Sequence, residues 1–442
     1  MVSINVFVKN NLFLIPLENY GMGKRGQYVL YSPLAHHLIV VDEDVVCLLG
    51  QQLAGGGKFT DSLLQKQLLD EAVLTTPNYV TDPNDVFALT ILPNNICNFS
   101  CSYCYASKGH GKDELTEETL RTVLNFFVSP TRIHRRDLYI SFGGGGEPFI
   151  SWEKVKFVME YSDALAKEYG FHISYSFASN GSIMNDEILT ALKRYNVKAN
   201  ISFDILEDIQ NIQRKNYDLV CKNLDTLLDN GIFPTINSVI TPLNVERQVE
   251  MVEQVHQRFP KLRRLSFDYV VDANLYALPE QLMSFYDAYI DNFFKARALG
   301  KKYNIVVSSI KYHNLEQIKI RACAGGFDLT PNGKFSMCFF VSSPNETLYD
   351  SFIYGAVNGE KIEFDKQKFK SLVEFTDNDR SQCHNCFLKW HCGGGCFYHV
   401  KTYTKEMLDV MCQFQRKFSL RALLDNIETV SYTHLRAHET LR

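Results

Sequence analysis

From residue 86 to residue 299 the chain repeats one pattern: a short apolar run, a turn, then a longer stretch with apolar residues three and four apart. Few folds can accommodate such repetition. Apolar runs of four to eight residues suit strands, and spacings of three and four place side chains on one face of a helix. Strands are expected at 87–92, 138–142, 173–177, 199–203, 234–240 and 265–271. In the first helix Leu120, Val123, Leu124, Phe127 and Val128 share a face. Further helices are expected at 155–169, 186–195, 217–230 and 280–299, with Gly231 placed to end the one before it. Strands joined by crossover helices build a parallel sheet that curls. The expectation is therefore an α/β fold, a partial (β/α)6 TIM-like barrel over 86–309.

Residues 1–80 read differently. Extended runs at 28–31 and 38–41 flank Ser32-Pro33, and helices follow at 43–53 and 61–74 around Gly55-Gly56-Gly57. This suits a small winged-helix-like α+β module. Thr76-Pro77-Asn78 and Asp82-Pro83-Asn84 read as its linker. Residues 310–425 lose the alternation and gain cysteine and glycine, the composition of a separate metal-stapled domain. The tail at 431–442 has no core pattern and resembles translated adapter read-through. It is set aside, although His434 and His438 are four apart.

Of the 442 residues, 45% are hydrophobic, which supplies a core and excludes wholesale disorder. A net charge of -4 argues against electrostatic binding to nucleic acid or anionic membrane. With no apolar run of membrane length and no signal-peptide pattern, a soluble cytoplasmic protein is expected. In a reducing compartment clustered cysteines serve as metal ligands rather than disulfides. Ten of the twelve cysteines cluster; Cys221 and Cys47 lie among apolar neighbours and are expected in the core.

Cys97, Cys101 and Cys104 form a C-x3-C-x2-C group directly after the first strand, where barrel enzymes place their chemistry. A zinc site needs a fourth ligand, for which His110 is the near candidate. A [4Fe–4S] cluster on three thiolates instead keeps one iron open to a reactant. This spacing, followed by Tyr105, resembles the radical S-adenosylmethionine (radical SAM) enzymes. Membership implies that the open iron chelates SAM, and that reductive cleavage yields a 5′-deoxyadenosyl radical which abstracts hydrogen from a substrate. Gly143-Gly144-Gly145-Gly146-Glu147-Pro148 follows the second strand, as the family's GGEP segment does. The resemblance assigns Gly145, Gly146 and Glu147 to the methionyl amine and Asn180, in Ser179-Asn180-Gly181, to the ribose region. It assigns Ser202 and Asp204 to the ribose and nearby groups, Arg214 to the SAM carboxylate and Tyr103 to adenine. Taken singly, Ser202, Asp204 and Arg214 also suit ordinary turn and helix-start chemistry.

Cys323, Cys338, Cys383, Cys386, Cys392, Cys396 and Cys412 resemble the SPASM extension of that family in spacing. The resemblance implies two auxiliary [4Fe–4S] clusters, three in all. Cys383, Cys386, Cys392 and Cys412 would close the outer one; Cys323, Cys338 and Cys396 would hold the inner one. Fully ligated relatives carry a further cysteine where this chain has Gln317. The inner cluster is then expected to keep an open iron unless His313 fills it. An open iron suits either a substrate thiolate or a purely electron-transferring role. SPASM enzymes mostly modify peptides, so a ribosomally made precursor peptide is the expected partner, its leader held by the N-terminal module along an edge strand. A simple capping module is the alternative. A flavodoxin or ferredoxin is the expected reductant, and a thioether is favoured over a carbon–carbon link. Two other readings compete with this one. Anaerobic sulfatase maturases place an Asp after the cysteine matched by Cys338, where this chain has Phe339. A non-catalytic iron–sulfur carrier would not explain residues 143–148.

Overall fold

The computed structural model describes residues 4–72, 80–323, 325–375 and 381–427. The proposed linker at 76–78 and the tail with His434 and His438 lie outside them. The chain packs as two compact units. One takes residues 1–78, 310–323 and 375–442, the other 79–309 and 324–374. The units part at 78/79 and 309/310, near the boundaries expected at 80 and 309, but 324–374 goes with 79–309 and the rest of the C-terminal part with 1–78.

In the first unit, strands β1 (Phe13–Pro16), β2 (Gln27–Ser32) and β3 (His37–Asp42) form an antiparallel sheet in that order. The helix Ile4–Lys9 and strand β1 precede the elements legible in the sequence. The helix Glu43–Gly56 runs through Gly55 and Gly56 and stops at Gly57, whose backbone is left-handed. Leu30, Ile39, Val41, Val46, Leu49 and Leu53 pack between sheet and helix as one core. Cys47 departs from expectation. It is exposed, because Val45, Val46, Leu49, Gly50 and Leu53 take the buried arc of that helix. From residue 381 to 427 this unit carries the helices Ser381–His384, Lys389–Cys392, Phe397–Thr402 and the long Lys405–Ile427.

The second unit is built on one large sheet. Strands β4 (Ala88–Ile91), β5 (Asp137–Phe142), β6 (His172–Ser179), β7 (Lys198–Ser202), β8 (Thr235–Ile240), β9 (Arg264–Tyr269) and β10 (Val306–Ser308) are parallel and adjacent in chain order. The six expected strands are all present, and β10 adds a seventh. When neighbours follow chain order, right-handed crossovers put every connecting helix on one face of the sheet. Side chains alternate accordingly. Leu89, Ile140, Phe177, Ile201, Ile236 and Phe267 are buried, and Tyr175 on the same face reaches Ser162 of the helix Trp152–Tyr169 at 2.8 Å. Thr90, Ser141, Ser176, Asn200, Asn237 and Ser266 share the opposite face and are half-buried. Filled barrels carry bulky branched residues on that face; here it is small and polar.

The sheet continues beyond β4. Strand β11 (Asp328–Leu329) pairs parallel with β4, and β12 (Lys334–Ser336), β13 (Ile353–Asn358) and β14 (Lys361–Phe364) follow antiparallel. Residues expected in a separate C-terminal domain therefore finish the sheet of the barrel unit. Among the described residues no helix is long and apolar enough to cross a membrane.

Candidate active site

The loop carrying Cys97, Cys101 and Cys104 leaves the C-terminal end of β4, and the ends of β5, β6 and β7 hold it in place. At β5 the contact is through backbone. A Cβ on Gly146 would fall 2.1 Å from Ile96 O and 2.3 Å from Asn94 Oδ1, so only glycine allows the approach. Asn94, fully buried, completes the joint: its Nδ2 donates to Glu147 O and to Ser151 Oγ, and its Oδ1 accepts from the Ile96 N–H. Glu147 accepts from Ser179 Oγ at 2.8 Å and the Asn180 N–H at 2.7 Å, tying β5 to β6. Burial raises its carboxyl above the usual range, against these donors and Arg214. Asn180 Nδ2 then donates to Asn98 Oδ1 at 2.9 Å, and Asn98 Nδ2 to Ser182 Oγ at 2.8 Å, fastening the cysteine loop to β6.

At β7 the fastening is ionic. Tyr103 Oη donates to Asp204 at 2.8 Å and accepts from Arg214 Nη1 at 2.9 Å, and Gln213 Nε2 donates to Asp204 at 3.1 Å. Burial raises the Asp204 carboxyl, with Arg214 and Tyr103 opposing. Burial alone would lower Arg214; Tyr103, Cys101 and Asp204 more than offset that and hold the guanidinium above its ordinary value. The backbone is strained around both charges: Ile205 has φ 65° and Lys215 φ 71°, a left-handed conformation rare for side chains of these types.

Burial pushes the thiols of Cys97, Cys101 and Cys104 up, Cys101 to about 11, and Arg214 opposes the rise at all three. Metal binding releases such protons. Two buried polar atoms beside the loop have no hydrogen-bond partner, Arg214 Nε, a donor, and Asn95 Oδ1, an acceptor. Cys104 Sγ lies 3.9 Å from His110 Nε2. Among the described residues no three His, Cys, Asp or Glu side chains gather around a position for a single metal ion.

The structure thus brings Cys97, Cys101, Cys104, Tyr103, Gly145, Gly146, Glu147, Asn180, Asp204 and Arg214 to neighbouring strand ends. Ser202 closes β7 on the half-buried polar face. Asn94, Asn98 and Gln213 escaped the sequence reading, since nothing in their local pattern marks them. Asp328 did too. Its buried carboxyl, raised to about 7 by burial, bonds the Thr90 hydroxyl and the Phe339 N–H, while Phe339 itself is 42% exposed against Tyr105 and Phe340.

In the first unit Cys383, Cys386, Cys392 and Cys412 line one partly open cavity together with Leu388, Lys389, Gly394, Gln415 and Arg416. The N-terminal sheet supports its wall. Tyr31 Oη lies 2.6 Å from His391 Nε2, and His391 Nδ1 lies 2.8 Å from Gln317 O. A carbonyl only accepts, so Nδ1 carries the proton and Nε2 accepts from Tyr31. Trp390 Nε1 donates to Asn11 Oδ1 at 3.2 Å. The remaining cysteines fall in different units: exposed Cys323 and half-buried Cys396 in the first, half-buried Cys338 in the second. His313 is exposed, 3.4 Å from Glu316.

Comparison with known proteins agrees with this geometry. Residues 91–255 match the family model described as the radical SAM superfamily. The radical SAM cyclopropyl synthase TigE of Paramaledivibacter caminithermalis is 23% identical over 351 residues, 72% of this chain and 69% of that protein. Among solved structures, native anSMEcpe with bound AdoMet aligns with a TM-score of 0.59 at 17% identity, covering 78% of this chain and all of that one. Streptococcus suis SuiB bound to precursor peptide SuiA aligns at 0.52 and 14% identity, covering 90% of this chain and 97% of that one. The two structural likenesses establish the shared fold. The matched region spans the cysteine loop and the three strand ends that hold it, so residues 91–255 are a radical SAM domain and the chain that carries it is an enzyme.

Proposed function

We propose that this enzyme modifies a ribosomally made peptide, forming a new covalent link at a side chain from which hydrogen has been abstracted. When bound, a four-iron cluster with SAM supplies the chemistry of the superfamily, reductive cleavage to methionine and a 5′-deoxyadenosyl radical. Cys97, Cys101 and Cys104 would hold that cluster. Their fixed, half-buried loop with three thiols and no fourth cysteine suits a cluster that keeps an iron open. Arg214 Nε and Asn95 Oδ1, both orphaned and buried, suit a ligand bringing a carboxylate and an amine, as the methionyl end of SAM does. Gly145 and Gly146 let that ligand approach the backbone, and Glu147 fixes the segment through its bonds to Ser179 and Asn180. Asn180, Ser202 and Asp204 would face the ribose, and the Tyr103 ring the adenine. The half-buried polar face of the sheet would leave room for substrate.

The carrying observation is the lattice that joins one cysteine loop to three successive strand ends. An isolated metal-binding loop has no use for Tyr103, Asp204 and Arg214 in one buried ionic group. A peptide as substrate is supported by the likeness over 90% of this chain to SuiB, which was solved with its precursor peptide. The N-terminal module would hold a leader along one of the two outer strands of its sheet, β1 or β3. Cys383, Cys386, Cys392 and Cys412 would hold the outer auxiliary cluster, and Cys323, Cys338 and Cys396 the inner one. A flavodoxin or ferredoxin would supply electrons.

A thioether is the favoured product because the inner trio lacks a fourth cysteine. A carbon–carbon closure is the second reading, favoured by the cyclopropyl synthase among the relatives. The test is anaerobic reconstitution with SAM, dithionite and the short peptides encoded beside the gene. 5′-Deoxyadenosine should form, and the modified peptide should lose a pair of hydrogens. Loss of one alkylatable thiol would establish the thioether; an unchanged thiol count would establish the carbon–carbon link. Absence of 5′-deoxyadenosine from a preparation with about four irons per cluster would refute radical initiation.

A further inference from the structure

The cavity of the first unit contains a cation that the proposed reaction has not used. Arg416 lines it beside Cys383, Cys386, Cys392 and Cys412. Cys412 and Arg416 are four residues apart on the helix Lys405–Ile427, so they leave the same face one turn apart. Arg416 also donates to the sulfur of Cys386, so its guanidinium faces the thiols within the cavity. The other cation at the cavity, Lys389, holds its ammonium 5.8 Å from the centre of the Trp390 ring.

We propose that Arg416 is a positioning residue that sets the reduction potential of a four-iron cluster held by these cysteines, raising it so that the cluster is the better electron acceptor. The inference rests on the reading that the four cysteines hold such a cluster. Reduction adds a negative charge, and a guanidinium bonded to a ligand sulfur stabilises the reduced form more than the oxidised one. Net charge and hydrogen bonds to sulfur are the protein's main means of moving such a potential.

The test uses the full-length chain with Cys97→Ala, Cys101→Ala, Cys104→Ala, Cys323→Ala and Cys338→Ala, leaving these four cysteines as the only complete set. It should take up about four irons, and failure to do so overturns the cluster reading and the proposal with it. Redox titration followed by electron paramagnetic resonance then compares Arg416 with Arg416→Met and Arg416→Gln. At full iron content both variants should titrate at lower potential, Met more than Gln, which keeps a neutral donor. A potential unchanged at full iron content overturns the proposal while leaving the cluster in place. If Arg416→Met loses iron, Arg416→Gln decides on the same criterion, and loss of iron in both would make Arg416 a purely structural residue, contrary to the proposal.

Discussion

The two cysteine loops solve opposite problems. The loop at 97–104 has three thiols and is held from outside, by Asn98 to Asn180, by Tyr103 to Asp204 and Arg214, and by the backbone of Gly146. The set of Cys383, Cys386, Cys392 and Cys412 has four thiols around its own pocket, braced by Tyr31 of the N-terminal sheet and by Asn11 just ahead of it. A three-thiol loop cannot close on its own ligands, so the protein supplies rigidity through a buried polar lattice and leaves a face for a reactant. A four-thiol set can close, and what remains to adjust is its electrostatics. On the proposed reading, ligand count would separate a site for chemistry from a site for electrons.

Removing each set should break the enzyme differently. Cys97→Ala/Cys101→Ala/Cys104→Ala should abolish 5′-deoxyadenosine formation to below detection. Replacing Cys383, Cys386, Cys392 and Cys412 by Ala should leave SAM cleavage measurable while peptide product disappears. Equal loss of cleavage in both would erase the distinction. Arg214→Ala removes the buried cation near Asp204, leaving that carboxyl with hydrogen bonds from Tyr103 and Gln213 alone among side chains, and should destabilise the second unit by at most roughly 3–5 kcal/mol. SAM binding by isothermal titration should be lost, with iron on the outer set unaffected.

Gly146→Ala pushes a methyl into Ile96 O and Asn94 Oδ1, so iron at the first loop should fall by about one cluster while the second set keeps its own. Tyr31→Phe is the converse test. It leaves buried His391 Nε2 without its donor, costing about 1–3 kcal/mol, and thermal unfolding should show the loss with iron leaving the outer set first. A further effect is pH-dependent. The Asp328 carboxyl is raised from 3.8 to about 7 in the folded chain, so it favours folding when protonated. That contribution is complete below pH 4 and lost as pH rises through 7, costing up to about 4 kcal/mol. Asp328→Asn should therefore raise the unfolding temperature more at pH 8 than at pH 5.5; an equal change at both would place the carboxyl's ordinary ionisation in the fold.

How much could be read beforehand follows from the range of each interaction. Leu138, Ile140 and Phe142 are the apolar members of an alternating run, and that period alone identifies a strand; the same holds for its four expected successors. Val306–Ser308 is too short to carry a period, and Asp328–Leu329 is two residues whose pairing with Thr90 and Ile91 is decided by neighbours far away in sequence. Cysteine spacing is local and was legible. The lattice of Asn94, Asn98 and Gln213 was not, because an asparagine in a loop looks alike whether solvated or buried. Cys47 failed for a related reason: its apolar neighbours are on the helix, but its own position falls outside their arc. That 328–364 belongs to the barrel sheet while 383–412 packs beside the N-terminal module has no local signature either.

The most direct measurement asks which loop meets SAM. Reduced protein carrying only the 97–104 set and protein carrying only the 383–412 set would each be examined by electron paramagnetic resonance before and after adding SAM. The signal of the first should change and that of the second should not. A SAM-dependent change confined to the 383–412 set would contradict the assignment of open and closed sites.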